Sequence, residues 1–146
     1  MSTPTSLEEI ETMPKLTVTQ LFEAIEHLYE ALRILESVLK EIERGAMRGI
    51  EISKSLATAW FQVNCCRLYT ESDVNYEELN VEAMGLINDA KCMTDSLISW
   101  QKGMTPHGKF YITQSIREAA GNLNLVLTEL ESSLYHQKAG EFAISA

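Results

Sequence analysis

Long apolar runs, basic clusters, glycine-rich loops, paired cysteines and prolines are all scarce in this chain, and each scarcity removes a class of protein. No stretch approaches the roughly 18 consecutive apolar residues that a membrane-crossing helix needs, so no transmembrane span is expected. Lysine and arginine nowhere cluster, and the formal net charge is −9. Contact with a nucleic-acid backbone or an anionic membrane surface is therefore not expected. Glycine-rich phosphate loops are missing. The three cysteines, Cys65, Cys66 and Cys92, include an adjacent pair and make no disulfide framework, which points to a reducing compartment. Proline occurs only at Pro4, Pro14 and Pro106, which leaves residues 15 to 105 open to long helices. The first residues, MSTPTSLEEIETMPK, lack the basic start and apolar run of a cleavable secretory signal. Residues 1–15 are expected to be a flexible leader, and the protein cytoplasmic.

What is present is helical periodicity. A chain of 146 residues with 45% hydrophobic content suits one domain with a real core. Thr17 and Gln20 form a capping box flanked by Leu16 and Leu21 as a staple. Leu21, Ile25, Leu28, Leu32, Leu35, Leu39 and Ile42 then recur at spacings of four and three, and Gly45 is a C-cap candidate. A second helix, from near Gly49 to near Tyr69, carries Ile52, Leu56, Ala59, Val63 and Cys66 in the same rhythm. Asn75 and Glu78 predict a capping box for a third helix with Tyr76, Leu79, Ala83, Leu86, Ala90, Met93, Leu97, Trp100 and Met104 on one line. After a turn containing Pro106, the fourth helix presents Ile112, Ile116, Ala119, Leu123, Val126 and Leu130 and is expected to fray around Gly140. Four such segments joined by short turns predict an all-α, antiparallel up-and-down four-helix bundle with long heptad-patterned helices. The bundle is assigned to residues 16–138 and a C-terminal tail to 139–146. Ile34 and Val81 lie off their seams and are expected to be exposed.

The second helix is the unusual one. Ser55 to Cys66 carries no charge through about three turns. With Ile52, Leu56, Val63 and Cys66 turned inward, Phe61, Cys65 and Leu68 fall on the opposite side and Trp60 between the two. One bundle core cannot bury both sides. Either the second stripe lies partly under the leader or the C-terminal tail, or the bundle is irregular, or the stripe is a contact surface, with Trp60, Phe61, Cys65, Leu68 and Tyr69 as the candidate partner-binding residues. Either another polypeptide or a second copy of the chain would hide it.

No constellation of catalytic or metal-binding type stands out. Di-iron bundles need Glu-x-x-His pairs, and the residues three before His27, His107 and His136 are Ala24, Met104 and Ser133. Glu23 and His27 share a helix face but make only two ligands, so no metal and no cofactor are expected. His136, Lys138 and Gly140 imitate a phosphotransfer motif with the wrong spacing, at an expected helix end. Cys66 reads as a small core residue. Glu71, Asp73, Glu77, Glu78 and Glu82 place five acids at the start of the third helix, where they favour its positive N-terminal end and form a candidate acidic docking site. Residues 71–104 hold seven acids and two bases while 45–70 hold one acid and three bases, an asymmetry that favours antiparallel pairing of helices two and three.

The expectation is a non-enzymatic protein–protein interaction module that presents helix two to a partner or to its own copy. In general character, small, acidic and helical, the chain is similar to adaptor proteins and secretion chaperones, a likeness that no motif carries. Two other classes fit less directly. One is an acidic inhibitor that imitates a polyanion, and the other a helical bundle with a small-ligand cavity near Trp60 and Trp100.

Overall fold

The first helix begins where the sequence places it. In the computed structural model, Thr17 Oγ1 accepts from the Gln20 backbone N–H at 3.1 Å, and Gln20 Oε1 accepts from the Thr17 N–H at 2.8 Å. Helix α1 then runs Val18–Arg44 and stops at Gly45, whose φ of 68° is left-handed and suits a residue without a side chain. Helix α2 spans Gly49–Thr70, α3 Val74–Ser99 and α4 Pro106–Ser145. The structure describes residues 16–45, 48–71, 74–99 and 104–145, with side chains described for all of these but Val74 and 141–145. The leader 1–15, Asp73 and Trp100 lie outside the described residues.

Each helix packs on two neighbours, α1 on α2 and α4, and α3 on α2 and α4, so the four close into a ring with α1 diagonal to α3. Cross-links between α2 and α3, α1 and α4, and α3 and α4 agree with antiparallel neighbours. Ser53 near the start of α2 donates to Asp95 near the end of α3, and Tyr29 of α1 donates to Glu131 late in α4 at 2.8 Å. Tyr76 and Ser133 meet between α3 and α4 at 3.4 Å. Among the described residues there is no strand, and the all-α four-helix bundle is the fold. No helix of the described residues is long and apolar enough to cross a membrane.

The core follows the seams of α1, α2 and α4. Ile52, Leu56, Ala59, Val63 and Cys66 are all fully buried, as are Ile112, Ile116, Ala119, Leu123, Val126 and Leu130. In α1 the centre of the seam shifts to Ala24, Ala31 and Val38, with Leu32 and Leu39 only half-buried at its edge. Ile34 corrects the expectation of exposure, for it is buried. It stands one heptad beyond His27, on the flank of α1 that α2 covers. Val81 is exposed as expected.

Three further differences concern α3 and α4. The most buried line of α3 is Tyr76, Asn80, Ala83, Ile87, Ala90 and Thr94, whereas Leu79, Leu86, Met93 and Leu97 are half-buried beside it. Two polar residues thus hold central positions. Val74 is already helical, so Asn75 lies inside the first turn rather than at its cap. Helix α4 does not end near Gly140 but continues to Ser145, past the contact of Gln137 with the Leu16 carbonyl. Its start is secured by Pro106 at the first helical position and by Thr105, whose Oγ1 accepts from the Gly108 N–H at 3.0 Å. A Cβ at Gly108 would stand 3.0 Å from the end of the Leu97 side chain and from Thr105 Oγ1, so a larger residue there would require Leu97 to shift by a few tenths of an ångström.

Candidate functional site

Helix α2 lies between α1 and α3, and its side chains sort by the direction in which they leave it. Inward go the five core residues. On the α1 flank, Gln62 Oε1 is 2.6 Å from His27 Nδ1, and the Tyr69 ring stacks on the His27 imidazole with centroids 5.8 Å apart. His27 is thereby engaged across the α1–α2 seam. On the α3 flank, Ser53 and Lys91 both donate to Asp95, and Arg67 pairs with Glu77 at 3.0 Å while donating to Asn64. Lys91 and Ser53 together hold the Asp95 carboxyl below its ordinary range. The charge asymmetry between α2 and α3 is therefore realised as a contact, Arg67 to Glu77.

What remains points away from the bundle. Phe61 is 57% exposed, Ile50 56%, Leu68 53%, Trp60 38% and Tyr69 37%. Of the candidate contact residues, Phe61 and Leu68 form the open centre of the face. Cys65 is half-buried on its α1 side, Tyr69 is half committed to His27, and Trp60 forms its α3 rim. Trp60 walls a groove of about 280 Å³ together with Leu56, Ala57, Ile87, Asn88 and Lys91. Sequence reading missed Ile50, which stands about three turns before Phe61 on the same face. Its spacing of seven from Ala57 and eleven from Phe61 is the signal that could have found it.

Other exposed apolar residues include Phe22 and Tyr29, seven residues apart on α1. On α4, Phe110, Leu125 and Tyr135 are exposed but stand fifteen and ten residues apart. On α1, Tyr29 is tied by its hydroxyl to Glu131.

The acidic candidates divide. Glu77 is held by Arg67, Glu71, Glu78 and Glu82 are exposed, and Asp73 lies outside the described residues. They do not converge on one open acidic surface, because the central member is already paired. Among the described residues, no three His, Cys, Asp or Glu side chains come together as a metal site would require. His136 is exposed within continuous α4 helix, edge-on to Tyr135, rather than at a fraying end.

The three thiols are free and differ in surroundings. Burial pushes the Cys66 thiol up to about 12, against the opposing pull of hydrogen bonds from Asn80 and Thr70. At pH 7.5 Cys66 is a neutral, enclosed thiol, whereas Cys92 stands exposed on α3. Alkylation of the folded chain at that pH, followed by peptide mass mapping, should label Cys92 readily and leave Cys66 unmodified until denaturant is added.

Compared with protein-family models, with curated proteins and with solved structures, the chain matches none.

Proposed function

We propose that the protein is a non-enzymatic interaction module, adaptor- or chaperone-like, that receives another polypeptide or its own copy on the outward face of α2. One observation carries this reading. Helix α2 is fully packed on its inward side and still presents Ile50, Phe61 and Leu68 to solvent on the other, flanked by Trp60. Exposed apolar residues along one helix face of a folded domain support a contact site, and large hydrophobic residues at its centre are the usual anchors. The acidic-inhibitor reading draws less support, since Glu77 is neutralised by Arg67. The ligand-bundle reading draws on the shallow groove beside Trp60.

The test is a photo-reactive residue at position 68 of the full chain, with Phe61→Asp as the control. A covalent adduct with a polypeptide of defined mass is expected on irradiation. Phe61→Asp should reduce it at least tenfold while far-UV circular dichroism stays unchanged. An adduct that survives Phe61→Asp, or none at all from position 68, would remove the reading.

A further inference from the structure

We draw no further inference here: the strongest candidate, the outward apolar face of α2 around Ile50, Phe61 and Leu68, belongs to the site already described, and nothing in the structure shows what covers it.

Discussion

Leu56→Ala is expected to lower the unfolding free energy by about 2–5 kcal/mol, whereas Phe61→Ala, five residues on in the same helix, changes the monomer by less than about 0.5 kcal/mol. Both residues are large and apolar, and composition alone would rank them together. The difference lies in direction. Leu56 is fully enclosed by the core, so truncation removes buried methyl groups and leaves a cavity between tightly packed helices. Phe61 is 57% exposed, and its ring gives up little when removed. Urea unfolding followed by circular dichroism at 222 nm makes the comparison, run at two protein concentrations. Any self-association through this face would add to apparent stability by mass action, and Phe61→Ala would then lower the midpoint in a concentration-dependent way. A cost above about 2 kcal/mol for Phe61→Ala in the monomer would mean that part of the chain itself covers the ring, and the open-face reading would fall.

The fold was legible because heptad spacing and caps report local physics. Thr17, Gln20 and Gly45 act within a few residues of themselves, so their roles in α1 could be read without knowing the neighbours. The face of α2 was legible for a related reason: Phe61 and Leu68 are apolar in a position where a single core has no use for them. Other features depend on what a helix meets. Apolar residues flank the true centre of α3 on both sides, and hydrophobicity pointed to Leu79, Leu86 and Met93 rather than to the line through Asn80, Ile87 and Thr94. Periodicity cannot find a seam whose central residues are polar, because those residues are satisfied by partners that spacing does not show. Thr94 turns its hydroxyl back to the Ala90 carbonyl at 2.8 Å, and Asn80 bonds across to α2. Ile34 was misplaced because it sits at the edge of the α1 seam, where only the position of α2 decides whether it is covered. Ile50 went unremarked because one apolar residue near a helix start says little until Phe61 and Leu68 are seen in line with it.

Asn80 is the position where a change of one atom pair should have the largest pH-dependent effect. Its side chain is fully buried, donates to Thr70 Oγ1 at 3.3 Å and toward Cys66 Sγ at 3.8 Å, and leaves Oδ1 enclosed without a protein partner. Asn80→Asp keeps the volume and replaces the donating amide with an acid at a fully buried position, where the one nearby cation, Arg67, is already paired with Glu77. Burial then raises the folded-state value of that carboxyl by about 3 units above the unfolded value of about 3.9. At about 1.36 kcal/mol per unit, the penalty for ionising it in the folded chain reaches about 4 kcal/mol. The sign follows from the raised value: the penalty is absent below about pH 3.9, grows as pH rises, and levels off near pH 7. Urea midpoints at pH 5.5 and 7.5, each referred to wild type at the same pH and both clear of the sequence isoelectric point near 4.8, should show the variant about 2 kcal/mol worse at the higher pH. A pH-independent deficit would mean that the new carboxylate reaches water and that α2 and α3 part at this level. Asn80→Leu separates polarity from packing at the same site. Thr70 keeps its own bond to the Cys66 carbonyl at 3.0 Å, so the leucine strands no donor, and the variant should be as stable as wild type or more so. What the amide contributes is then register rather than strength. It ties one level of α3 to one level of α2 through the bond to Thr70.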